Sequence, residues 1–195
     1  LPSDRAAQRF ALAIVIAFIP AAVLGFLLRG FIQTRLFNPV SVSLALIVGG
    51  ILMWVLDNGA ERPNTLKDVQ AVTPVQALGI GVAQAVSLWP GASRSASTII
   101  GGLLMRLDRQ AAVEFSFWLA IPTMLAATFY ETFKSARGLA ANDWLLIAVG
   151  FIAAFITAFV VVRWFLHWVS NHTLRPFAIY RIVLGGLVLC LFFLG

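Results

Sequence analysis

An arginine set among hydroxyls in the middle of an apolar region is the arrangement in this chain best suited to chemistry. The stretch Leu88-Trp-Pro-Gly-Ala-Ser-Arg-Ser-Ala-Ser-Thr98 surrounds Arg94 with Ser93, Ser95, Ser97 and Thr98. A charged side chain at bilayer depth costs roughly 2.5–3.5 kcal/mol, so it normally has a partner or a task. The Pro90-Gly91 pair breaks any helix at this point, and the hydroxyls that follow can cap a new one. A fresh helix N-terminus directs unpaired N–H groups outward, the macrodipole adds positive potential, and the Arg94 guanidinium adds a fork of donors that matches phosphate oxygens. Arg94 and Ser93 are therefore the catalytic candidates. Ser95, Thr98 one turn further on, Gly91 and Gln84 are the candidate binding residues. The competing structural reading gives the hydroxyls to capping and small-residue packing, and has Arg94 tie together carbonyls freed by the helix break.

The composition fixes the surroundings of this site. The chain has 195 residues, 61% hydrophobic and only 11% charged. A soluble domain carries about 25% charged residues, so an integral membrane protein is expected. The net charge is +6, but the basic residues stand singly between apolar spans, which fits membrane topology and not nucleic-acid binding. The single cysteine, Cys190, excludes an intrachain disulfide and is expected to be a packed core thiol. Neither Cys/His metal-ligand spacing, nor a Walker loop, nor an H-E-x-x-H or G-x-S-x-G motif is present.

About 20 apolar residues are needed to cross the hydrocarbon. By that measure residues 10–28, 39–56, 115–130, 144–165 and 176–194 are five spanning helices. The first run is longer than the 7–15-residue core of a signal peptide. Residues 75–105 do not fit the pattern, being too few for two crossings and too many for one straight helix broken by Pro-Gly. They are expected to form a re-entrant helical hairpin lining a polar cavity. This topology puts the N-terminus and the 57–73, 106–110 and 163–175 segments on one side, with Arg5, Arg9, Arg62, Lys67, Arg106, Arg109, Arg163 and Arg175. Arg29, Arg35, Lys134 and Arg137 fall on the other. The positive-inside rule then makes the first side cytoplasmic and the C-terminus external.

The remaining polar residues promise less. Glu114 opens one span, where a carboxylate offsets the helix dipole, and Glu131 closes it. Arg181 lies near enough to the start of the last span to snorkel to the surface. His167 and His172 belong to a basic surface loop. Hydrolysing a phosphoanhydride requires charge neutralisation, usually with a metal, together with a base or nucleophile. No residue is assigned as a metal ligand, because no acidic pair lies within the spans. Taken alone, these residues make half of an active site.

The chain resembles the bacterial undecaprenyl-pyrophosphate phosphatases, also called bacitracin-resistance proteins. The resemblance rests on Gln84-Ala-Val-Ser-Leu-Trp-Pro-Gly-Ala-Ser-Arg-Ser with Thr98, on Gly101-Gly102, on Ala111-Ala-Val-Glu-Phe-Ser-Phe-Trp-Leu-Ala-Ile-Pro122, and on Pro176-Phe-Ala-Ile-Tyr-Arg181. It covers essentially the whole chain. It implies an all-α, multi-pass enzyme of the bacterial inner membrane, the C-terminal portion of an inverted-repeat fold. The activity implied is removal of the terminal phosphate of undecaprenyl pyrophosphate, which recycles the lipid carrier for peptidoglycan synthesis and confers bacitracin resistance. In that likeness Ser93, Arg94 and Thr98 match the motif that holds the pyrophosphate. A divalent cation, Mg or Ca, is implied as cofactor. The implied partners are the polyprenyl pyrophosphate lipid and the bilayer, with a homodimer as a further possibility and no nucleic acid. Two departures stand out. The family's acidic motif, of the form E-x-x-x-E-F-x-P-V-S-S-x-G-H, is absent from these residues, so the metal ligands and the N-terminal part of the fold are expected outside them, and little phosphatase activity is expected of the 195 residues alone. Ala96 stands where the family generally has glycine. A flippase or transporter of polyprenyl phosphate using the same anion site is the alternative, with transport of labelled lipid without phosphate release as its signature. A channel ranks last, because the spans carry too few polar positions.

Overall fold

A computed structural model describes residues 5–57, 65–135 and 141–194 of the chain. Among them the architecture is all-α: α1 (Arg5–Phe31), α2 (Pro39–Leu56), α3 (Pro74–Ala85), α4 (Arg94–Leu104), α5 (Arg109–Ser135), α6 (Ala141–Asn171) and α7 (Arg175–Leu194). Five of these, all but α3 and α4, are long and apolar enough to cross a membrane. The expected 39–56 has the bounds of Pro39–Leu56, and the expected 10–28, 115–130, 144–165 and 176–194 lie within Arg5–Leu36, Arg109–Lys134, Asp143–Val169 and Arg175–Leu194. Prolines mark the starts of α2 and α3, where the missing N–H costs nothing and the fixed φ suits a first turn. Asn38 caps α2, accepting from the Ser41 amide at 2.9 Å. Thr73 and Gln76 form a capping box at the start of α3.

Polar contacts at the helix ends divide the molecule into two rims. At one, the Asp57 carboxylate after α2 accepts from Arg109 of α5, Nε at 2.8 Å and Nη2 at 2.6 Å, and from the Leu174 amide before α7. Leu66 bridges to Leu107, its amide donating to the Arg106 carbonyl at 2.9 Å. At the other rim Arg29, near the end of α1, pairs with Glu131 in α5 at 3.0 Å. Asp57, Leu66, Arg106, Arg109 and Leu174 are thus joined at one rim and Arg29 and Glu131 at the other. Arg62 and Arg137 lie outside the described residues.

Between the rims stands the helical hairpin. Gln76 near its start donates to the Met105 carbonyl near its end, at 3.0 Å, so both ends meet at the Asp57 rim. Its first limb is α3 continued by a 3-10 turn over Val86–Leu88, and its second is α4. At ~1.5 Å per residue the second limb rises ~15 Å. Small residues set the packing. Ala13, Ala17 and Ala21 form the buried stripe of α1, and a Cβ added to Gly81 of α3 would come 2.4 Å from the Ala17 carbonyl. Backbones that approach so closely gain dispersion contacts, the main attraction between helices in lipid. Phe115, fully buried in α5, forms a T-shaped pair with Phe10 of α1, ring centroids 6.2 Å apart. Much of α6, by contrast, presents exposed Leu, Ile, Val and Phe side chains along Leu145–Val161. Cys190 is also exposed on α7 and not a packed thiol. An apolar outer face costs nothing where the surrounding medium is hydrocarbon, so the usual burial of a free thiol loses its driving force there.

Candidate anion site at the hairpin tip

The tip runs from Trp89 to Ser93. Pro90 and Gly91 end the 3-10 turn, and Gly91 takes φ +94 with no room for a side chain, since a Cβ would stand 2.5 Å from the Val42 carbonyl of α2. Trp89 fixes the tip laterally, its indole donating to Ser41 Oγ at 2.7 Å. Ser93 follows with φ +65, a left-handed conformation that costs a non-glycine residue on the order of 1 kcal/mol. That twist aims its hydroxyl back over α4, where it accepts from the Ala96 amide at 3.4 Å as the helix N-cap. The capping role expected of these hydroxyls is therefore seen at Ser93. Its Oγ also lies 3.3 Å from that of Ser95, which is exposed.

Arg94 occupies the first position of α4 and is half-buried. Nη1 donates to the Ser116 carbonyl of α5 at 3.0 Å. That single bond steers the guanidinium and leaves most of its five donors uncommitted among the described residues. The first amides of α4 have no carbonyl within the helix to bond. Arg94, Ser93 and Ser95 are accordingly brought together with those amides at one helix start, and Gly91 lies two residues before Ser93.

Thr98 and Gln84 are placed differently. Thr98 is 1% exposed. Its hydroxyl faces the Arg94 and Ser95 carbonyls, each at 3.0 Å, and contacts Ser116 Oγ at 2.6 Å. Ser116 thus holds Arg94 through its carbonyl and Thr98 through its hydroxyl. Gln84 is 0% exposed on the buried face of α3, and neither amide atom has a hydrogen-bond partner among the described residues.

Arg181 does not snorkel. It is 6% exposed, and its Nη2 donates to three carbonyls: Gly91 at 3.1 Å, Ala92 at 3.0 Å and Ala45 at 3.3 Å. The task of tying the carbonyls freed by the helix break falls to this residue and not to Arg94. The sequence signal was present. Ala178, Arg181 and Gly185 are buried on α7 at i, i+3 and i+7, one face of a helix, so an arginine on that small-residue stripe points inward. Ser116 carried no comparable signal, because a serine in an apolar helix reads equally well as packing.

Among the described residues no three His, Cys, Asp or Glu side chains come together to hold a metal ion. Asp57 is taken by Arg109 and Leu174, and Glu131 by Arg29. His172 stacks on Trp168 at 4.7 Å. The donors at the tip are cationic or neutral, a set that suits an anion and not a divalent cation.

Residues 2–187 match the family model described as bacitracin resistance protein BacA. The chain is 49% identical over 198 residues to undecaprenyl-diphosphatase 1 of Burkholderia cenocepacia (strain HI2424), covering 100% of this chain and 72% of the relative. It is 46% identical over 186 residues to undecaprenyl-diphosphatase of Methylobacillus flagellatus, covering 93% and 69% respectively. It is also 49% identical over 176 residues to undecaprenyl-diphosphatase of Caldanaerobacter subterraneus subsp. tengcongensis, covering 90% of the chain and 65% of the relative.

Proposed function

Because the chain belongs to the family of the bacitracin resistance protein BacA, we propose that it removes the terminal phosphate of undecaprenyl pyrophosphate in the bacterial inner membrane. The products are inorganic phosphate and the monophosphate carrier, returned to peptidoglycan synthesis, and bacitracin resistance follows from that recycling. The observation that carries this reading is the half-buried Arg94 at the start of α4, held by one carbonyl and flanked by two hydroxyls. A helix N-terminus and a guanidinium together neutralise phosphate charge best in a site from which water is largely excluded.

In this reading the hairpin is re-entrant and brings α4's N-terminus to the pyrophosphate within the bilayer. Arg94 and the first amides of α4 bind the phosphate oxygens, and Ser93 and Ser95 donate hydrogen bonds. The bond between the terminal phosphorus and the bridging oxygen breaks as an oxygen nucleophile adds to that phosphorus. The bridging oxygen leaves with the lipid monophosphate. Thr98 acts from behind, through the Arg94 carbonyl and Ser116, and does not touch the phosphate. A Mg or Ca ion would require carboxylates from outside the described residues, so no step is derived through one. The Asp57 rim carries the excess of basic residues and is read as cytoplasmic.

The test is Arg94→Ala in the full-length protein. Release of phosphate from undecaprenyl pyrophosphate should fall at least about 100-fold, with an unchanged melting temperature in detergent. Near-normal turnover would remove Arg94 from the mechanism. Lipid transport in vesicles without any phosphate release in the parent protein would favour a carrier.

A further inference from the structure

We propose that Arg181 is a positioning residue of the anion site: it holds the hairpin tip in the one arrangement that keeps α4's N-terminus open to a phosphate. The inference rests on the phosphatase reading only for its kinetic consequence.

Three observations carry it. First, the bonds go to the tip itself. Nη2 reaches the carbonyls of Gly91 and Ala92 on one side and of Ala45 on the other, so a single guanidinium links the tip to α2 from a seat on α7. Secondly, the surroundings are cut to its shape. A Cβ on Gly49 would stand 2.3 Å from Nη2, and one on Gly50 would stand 3.3 Å from the Arg181 Cβ. Thirdly, it is a buried charge with no carboxylate in reach among the described residues, and its Nε has no partner there. A buried cation neutralised only by carbonyl dipoles is costly, and such groups persist where the arrangement they enforce is needed.

The electrostatic effect is directional. Peptide carbonyls carry partial negative charge, and those of Gly91 and Ala92 lie within three residues of Arg94. Drawn toward Arg181, they are held away from the helix start where an anion would sit. Released, they could rotate into the site or bond to Arg94 itself, and the phosphate would meet oxygen lone pairs in place of N–H donors. Arg181 therefore acts through the backbone and is not a catalytic residue.

The experiment measures the tip and the turnover separately in the full-length protein. In Arg181→Ala, deuterium uptake should rise in peptides covering residues 89–98 and stay at the parent level in peptides from α1 and α5. The kcat for undecaprenyl pyrophosphate should fall about tenfold or more, with KM less affected. Arg181→Lys, whose ammonium has three donors for three carbonyls, should restore much of both. Gly49→Ala keeps the arginine but displaces it, and should reproduce the exchange and kcat changes; it decides the matter if Arg181→Ala does not fold. Unchanged exchange at 89–98 in folded variants overturns the proposal, as does parent-like kcat. Failure of every variant to fold makes Arg181 a residue of the fold and overturns it too. A parent protein without phosphatase activity sinks the functional reading and leaves the exchange result standing.

Discussion

At the scale of single residues the site depends on two backbone positions that side-chain chemistry alone would not reveal. Gly91 has φ +94 and lies against the Val42 carbonyl, so Gly91→Ala adds both conformational strain and a collision. The expected result is a loss of about 2 kcal/mol or more in stability, read as a lower melting temperature, with the tip displaced and turnover lost. Ser93, with φ +65, holds a conformation that glycine would adopt more easily, yet it supplies the cap. The arginine-hydroxyl cluster was legible because Pro90-Gly91 and the hydroxyls announce a broken, recapped helix in any apolar context. The twist at Ser93 was not, since nothing local distinguishes a serine that caps from the left-handed region from one that caps from the β region.

At the scale of elements the hairpin depends on a brace between α4 and α5. Thr98 and Ser116 meet at 2.6 Å, and the Ser116 carbonyl receives Arg94 at 3.0 Å. Thr98→Val and Ser116→Ala should each lower turnover. Their double-mutant cycle should show a coupling energy of about 1 kcal/mol, and additivity would show that the two hydroxyls act independently. Of the elements, the five long helices could be read from hydrophobic runs of spanning length, and the break between α3 and α4 from Pro90-Gly91. What the runs could not disclose is which side chains face which helix. In a membrane protein apolar residues cover both the inner and the outer face, so periodicity loses the contrast that it has in water. This is why Cys190 read as a core residue, whereas Arg181 could have been placed inward from the small residues Ala178 and Gly185 that share its face.

At the scale of the whole molecule the Asp57 rim is where three chain segments are tied together. Asp57→Ala would free Arg109 and leave the Leu174 amide unpaired, loosening the ends of α2, α5 and α7 at once. The expected cost is about 3 kcal/mol, visible as a fall in melting temperature with little change in KM for the molecules still folded. The exposed Arg29–Glu131 pair at the opposite rim is worth at most about 1 kcal/mol, and its removal should pass unnoticed. The hairpin that starts and finishes at the Asp57 rim also bears on how such a chain is made. A 12-residue α3 is too short to be released sideways into lipid as an ordinary span. If the hairpin is re-entrant, as proposed, the emerging polypeptide lays down α1 and α2 first, and the polar tip takes its place only when α5 and α7 have supplied the Ser116 carbonyl and the Arg181 guanidinium that hold it. Assembly would then end with the insertion of the proposed anion site, and a lesion at Ser116 or Arg181 would yield molecules with every span in place but the Ser-Arg-Ser sequence stranded at the water's edge.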